Sequence, residues 1–177
     1  MAIVDWITHY MVAFFLGRKF RLDKIRMIAI TLGALVLDVD IILYLFPGPL
    51  SHGTLTHTLG GALVLGAICT VAIFLWKKKW TAQWVALGIV SHISLDMINT
   101  MSIFDEGKQL LYPLSDKVFT LKGYVPDQDL VWAIMSAAIF SFSIIMLAKC
   151  IIEGDYPWRV WYDERPLIKY WRSKVKK

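Results

Sequence analysis

Four stretches of this chain, residues 25–46, 55–76, 82–104 and 130–152, are apolar over about the 20 residues that a helix needs to cross a bilayer. Hydrocarbon offers no water to backbone N–H and C=O groups, so each stretch must close its hydrogen bonds within a helix or join a closed barrel. The chain has no runs of alternating apolar and polar residues of the kind barrel strands need. The expected fold is therefore an all-α polytopic membrane bundle. A fifth stretch, residues 3–16, is shorter and carries Asp5 and His9. It spans obliquely, re-enters or lies at the interface, which gives four to five transmembrane helices. It lacks a basic n-region and a small-residue cleavage site, so it does not read as a removable signal peptide.

Composition agrees. Of the 177 residues, 57% are hydrophobic and the mean hydropathy is +0.55. A net charge of +5 could suggest nucleic acid. The basic residues, however, fall in short clusters between apolar runs, so no nucleic-acid partner is expected. Such clusters orient membrane proteins instead. Residues 17–26 carry five basic side chains against Asp23, and Lys77, Lys78 and Lys79 form a second cluster. Beyond residue 152, seven basic residues face four acids. Between these clusters, residues 47–54 carry no charge, and residues 105–129 hold five acids against three lysines. The alternation predicts a cell (inner or plasma) membrane protein whose basic segments are cytoplasmic. Residues 1–152 form the embedded domain. Residues 153–177 read as a tail at the membrane surface, with Trp158, Trp161, Tyr162, Tyr170 and Trp171 among its cations. Cys69 and Cys150 sit in apolar runs and read as small buried hydrophobes.

Against this background Asp38, Asp40 and Asp96 are out of place. A carboxylate at a helix centre costs about 2.5–3.5 kcal/mol on insertion scales. One such residue, or one histidine on an apolar face, is commonly satisfied by a neighbouring helix. Here all four histidines, His9, His52, His57 and His92, lie in the same few segments as the aspartates. His92 and Asp96 are four apart and share a helix face, as do Asp5 and His9. Asp38 and Asp40 are two apart, so both reach one site only if the helix loosens there, or one of them orients a histidine. Imidazole with carboxylate suits zinc, manganese or iron better than calcium. The topology brings these residues to one level in the outer half of the bilayer.

The same residues carry a resemblance. Thr8-His9 is followed by a G-x-x-x-x-D-x-D stretch from Gly33 through Asp38 to Asp40. Then come His52-Gly53-Thr54-Leu55-Thr56-His57-Thr58, the H-x-x-x-D of His92 and Asp96, and a G-x-x-L-L-x-P block from Gly107 to Pro113. In this order they resemble the YdjM-like membrane-bound metal-dependent hydrolases, described as LexA-regulated inner-membrane hydrolases. Gly53 stands where that family often has Arg, and Leu37 where it often has Pro. The family is distantly similar to zinc-dependent phospholipase C and P1 nuclease, a likeness of site type that implies phosphoester chemistry by analogy.

The resulting expectation is a metal-dependent hydrolase acting on a phosphoester or ester of a lipid-like substrate near the outer leaflet. It would use two or three divalent ions, zinc first, with manganese or iron as alternatives. His9, Asp38, His57, His92 and Asp96 are the expected ligands. Asp40 and His52 are further ligands or the general base and its partner, and Asp5 is a supporting residue. Thr56, Thr100, Lys108 and Lys117 are the expected substrate contacts. The rival reading is an ion or metal transporter, since intramembrane Asp and His also build ion pathways. Against it, the chain shows no internal repeat.

Overall fold

In the computed structural model, residues 2–39, 55–98, 109–119 and 128–162 are described. The described elements are α1 (Ala2–Lys19), α2 (Lys24–Leu35), a 3-10 turn (Val36–Val39), α3 (Leu59–Lys77), α4 (Ala82–Ile98), α5 (Gln128–Ile152) and the short α6 (Arg159–Tyr162). Every regular element among the described residues is helical, as the all-α expectation requires.

α2 is the centre of the fold. Asp23 caps its N-terminus by accepting a 3.0 Å hydrogen bond from the Arg26 N–H. Nearly its whole circumference is then covered: Met27, Ile28, Ala29, Ile30, Thr31, Gly33 and Ala34 are all buried. An all-round apolar helix of this kind belongs inside a bundle. On one side Met27, Ile28, Ile30 and Ala34 pack with Met11, Ala13 and Phe14 of α1. On the other, Ala29 meets Ala62, Cys69 and Ile73 of α3 and Val85 and Ile89 of α4. The closest approach is to α4. A Cβ on Gly33 would collide with the Val85 backbone, and one on Gly88 with the Ile30 carbonyl oxygen. Small residues serve helix contacts in membranes this way, because lipid supplies no hydrophobic drive for association.

α3 and α5 are different. Leu59–Lys77 and Ile134–Ile152 are each long and apolar enough to cross a bilayer, and both lie mostly at the surface. Leu63 is 74% exposed and Ile152 86%. These are the lipid-grade helices, flanking the more polar trio α1, α2 and α4.

One expectation from the sequence changes. The apolar run 25–46 is not one continuous α-helix: the α-helix stops at Leu35 and tightens into the 3-10 turn. The first residues of the tail pack on the bundle. Val160 of α6 is buried with the α1–α2 core, and Arg18 reaches Asp155 at 2.9 Å. The Tyr10 hydroxyl donates to the Pro157 carbonyl at 2.9 Å and accepts from the Trp161 indole N–H at 3.2 Å. Cys69 and Cys150 are free and buried, as expected.

The basic segments gather at one end of the bundle. Lys79, after α3, lies 3.7 Å from Asp23 before α2, and Arg18 at the end of α1 pairs with Asp155 beyond α5.

Candidate metal centre

Four of the five expected ligands point their donor atoms at one another. His57 Nε2 lies 3.1 Å from His92 Nε2, 3.2 Å from Asp96 Oδ2 and 3.4 Å from Asp38 Oδ1. His92 Nε2 lies 3.3 Å from Asp96 Oδ2 and 3.7 Å from Asp38 Oδ1. His57, His92 and Asp38 are buried, with His92 fully so.

Each residue arrives by a separate device. His92 and Asp96 come from one face of α4, one turn apart. Asp38 is delivered by the 3-10 turn, where the break in the α-helix lets a carboxylate swing off the α2 axis. His57 immediately precedes Thr58, the cap of α3, whose hydroxyl accepts from the Gly61 N–H at 2.9 Å and donates to the Leu55 carbonyl at 2.8 Å. The cap fixes where the chain turns into α3, and with it the position of His57. The α3 entry is tied down further by the Leu59 N–H, which donates to the Leu110 carbonyl at 2.8 Å.

Backbone and hydroxyl groups set the ring orientations. His92 Nδ1 sits 2.7 Å from the Ala34 carbonyl oxygen. That oxygen can only accept, so Nδ1 carries the proton and the neutral ring turns the Nε2 lone pair to the cluster. Thr56, expected as a substrate contact, holds its hydroxyl 2.9 Å from His57 Nδ1. It orients that ring from behind, as outer partners of metal-binding histidines do.

His9 occupies the rim. Its ring stacks on His92 with centroids 3.8 Å apart and planes 16° from parallel, and its Nε2 lies 3.2 Å from Asp96 Oδ1. Asp96 thus faces His57 and His92 with one oxygen and His9 with the other. His9 and His92 are each ten residues from the basic end of their helices, a depth of about 15 Å at 1.5 Å per residue.

The arrangement fits a metal ion on three grounds. First, donors about 2.0–2.1 Å from a tetrahedral ion stand about 3.3–3.4 Å from one another. Two three-donor faces share His57 and His92, one closed by Asp38 and the other by Asp96, and their edges of 3.1–3.7 Å bracket that spacing. Second, buried Asp38 and half-buried Asp96 set two carboxylates against imidazoles in a low-dielectric interior, where a divalent cation would offset their charge. Third, Asp38 Oδ2 and His9 Nδ1 are buried with no hydrogen-bond partner among the described residues, a costly state for polar atoms. Two overlapping ligand groups emerge, His9–His92–Asp96 and Asp38–His57–His92. They share His92, whose Nδ1 is committed to Ala34, so its Nε2 serves one ion.

Asp40, His52, Thr100 and Lys108 lie outside the described residues, as does the Asp5 side chain. Lys117 is exposed, with its ammonium 5.7 Å from the Phe119 ring centroid. Among the described residues no contact joins it to the cluster. Sequence reasoning missed the Ala34 carbonyl and the Gly33–Gly88 approach that sets it against His92. A backbone acceptor leaves no mark in a sequence, but a glycine one turn before a histidine, Gly88 before His92, was a readable sign.

A family model described as YdjM inner membrane protein matches residues 4–162, which spans every residue of this cluster. No curated protein and no solved structure matches the chain.

Proposed function

The chain belongs to the YdjM inner membrane protein family, and from that premise we propose that it is a multi-pass, zinc-dependent hydrolase of lipid-like phosphoesters or esters. The observation that carries this reading is the buried His57–His92 pair, closed by Asp38 on one side and by Asp96 on the other, with donor spacings of 3.1–3.7 Å. Two His with two carboxylates match the donor preferences of zinc, with manganese or iron as alternatives. One ion would be held by this set. A second would draw on His9 with Asp40 or His52.

When bound, such an ion supplies Lewis-acid polarisation of the scissile group and an acidified water. The chain's own residues hold the rest. The Ala34 carbonyl keeps the His92 proton on Nδ1, and Thr56 steadies His57. His9, against Asp96 Oδ1, is placed to take up or return a proton at Nε2. Asp40, two residues beyond Asp38, is the proposed general base. A lipid-like substrate is supported by the apolar surface beside His57, where Leu55, Leu59 and Leu63 are exposed at four-residue spacing. A soluble substrate would need no such approach.

In this reading α1 to α5 all lie in the membrane, with the basic end cytoplasmic and the centre toward the outer leaflet. Sidedness is testable with two positions at opposite ends. A cysteine replacing Leu114, 94% exposed, is expected to react with a membrane-impermeant thiol reagent in intact cells. One replacing Lys78, also exposed, should react only after permeabilisation. Reversed labelling would overturn the orientation and move the centre to the inner leaflet.

The activity test uses the purified full-length chain with its metal content measured. Long-chain and short-chain versions of the same phosphoester and ester are compared, before and after chelation. Expected is turnover that is lost on chelation, restored by zinc, and higher in kcat/KM for the long-chain member. Equal kcat/KM for both, corrected for micelle partitioning, would remove the lipid from the transition state. Zinc flux in liposomes without hydrolysis would replace the enzyme by a transporter.

A further inference from the structure

At the basic end of the bundle, away from the metal centre, α1 and α5 diverge around a cleft of about 350 Å³. Phe15, Arg18 and Lys19 line it from α1; Met146, Lys149, Cys150 and Glu153 line it from α5 and just beyond. The lining divides by level. Phe15 and Met146 lie one turn further into the bundle than Lys19 and Lys149. The Phe15 ring is 6.3 Å from that of the exposed Phe142, which extends the apolar wall another turn. The charged level holds three cations and Glu153. Arg18 is pinned there by its 2.9 Å ion pair with Asp155 and its 3.6 Å contact to Cys150 Sγ. Lys19 and Lys149 are exposed and complete the rim.

Cations at two helix C-termini would be favourable for the helix dipoles alone. That does not account for a cleft whose walls pass from aromatic and thioether to ammonium within one turn, on the flank of a lipid-facing helix. We propose that this cleft binds an anionic glycerophospholipid of the leaflet at the basic end, its phosphodiester between Lys19 and Lys149 and an acyl chain along Phe15, Met146 and Phe142. Charge complementarity selects the headgroup, since basic pockets between membrane helices recognise anionic lipids in this way. The apolar wall selects a lipid over a free phosphate. The inference rests on the membrane embedding of the chain and not on its metal chemistry.

The test reconstitutes the full chain in phosphatidylcholine vesicles containing spin-labelled phosphatidylglycerol or spin-labelled phosphatidylcholine, and compares their association with the protein. The unmodified chain is expected to prefer phosphatidylglycerol. Lys19→Gln with Lys149→Gln should reduce that preference on the order of tenfold, and the corresponding Arg pair should keep it. Lys77→Gln with Lys78→Gln, an equal charge change at the same end outside the cleft, should also keep most of it. Equal loss in both Gln pairs would mean diffuse surface charge and overturn the site. So would the absence of any preference in the unmodified chain, or displacement of the lipid by inorganic phosphate at matching concentration. A photoreactive phosphatidylglycerol, used on the unmodified chain, gives a readout independent of any variant: label should fall on Phe15, Met146 or Phe142, and label elsewhere would sink the proposal.

Discussion

Replacing Asp96 by Asn is expected to empty the metal centre while the helices stay assembled. Asp96 is the one carboxylate that touches all three described histidines, at 3.2 Å from His57, 3.3 Å from His92 and 3.2 Å from His9. Asn keeps the volume and removes the charge, and its amide nitrogen can only present donors where a lone pair is required. Metal per chain should fall to trace levels, and chelator should no longer change the melting temperature. In the unmodified protein chelation should lower stability, because a ligand at a thousand times its Kd contributes about 4 kcal/mol. His9→Ala makes the instructive companion. If His9 acts through Asp96 Oδ1 rather than as a ligand of the main ion, affinity should drop by about the 10–100-fold typical of outer partners and no further. Full metal occupancy in Asp96→Asn would remove Asp96 from the ligand set.

The sequence made the cluster readable because aspartates and histidines stand out in apolar runs. His92 and Asp96 are a 3.3 Å pair as their four-residue spacing required, and His57 and Asp38 meet them. The path of the chain between Ala34 and Asp38 was less readable. An apolar run from 25 to 46 carries no composition signal for ending an α-helix at Leu35. The cause is tertiary: the Ala34 carbonyl lies against His92 Nδ1, from 58 residues away. The chain then tightens into the 3-10 turn Val36–Val39, where Asp38 is buried. The role of Thr56 was likewise hidden. A threonine beside a histidine reads as a hydroxyl for substrate or for a preceding carbonyl, and only the ring's position shows that it faces Nδ1.

The same tertiary cause sets the second large effect, at a residue that touches no ligand. A Cβ at Gly88 would press into the Ile30 carbonyl oxygen and come within 2.8 Å of the Ala34 backbone nitrogen. Both partners are backbone of α2, so neither can move without moving the helix. Overpacking of this kind costs about 1–3 kcal/mol and sometimes more, which outweighs the roughly 1 kcal/mol that alanine gains over glycine in a helix. Separation of α4 from α2 at Gly88 also lengthens the 2.7 Å bond from His92 Nδ1 to the Ala34 carbonyl, one turn away. The ring is then free to tilt, and its Nε2 leaves the donor set. Gly88→Ala should therefore lower the melting temperature and weaken metal binding together, although position 88 contacts neither imidazole nor carboxylate of the centre. Gly66→Ala is the control on the neighbouring helix. Its Cβ would come within 2.9 Å of Ile89 Cδ1, the far end of a flexible side chain, with Val85 Cγ1 next at 3.9 Å. A small rotation of Ile89 absorbs that, so Gly66→Ala should melt within about 1 kcal/mol of the unmodified protein, the size of the helix-propensity gain itself. If Gly88→Ala matched Gly66→Ala in both melting and metal content, the α2–α4 contact would not be what holds His92 in place, and the orientation of that ring would have to come from the ion alone.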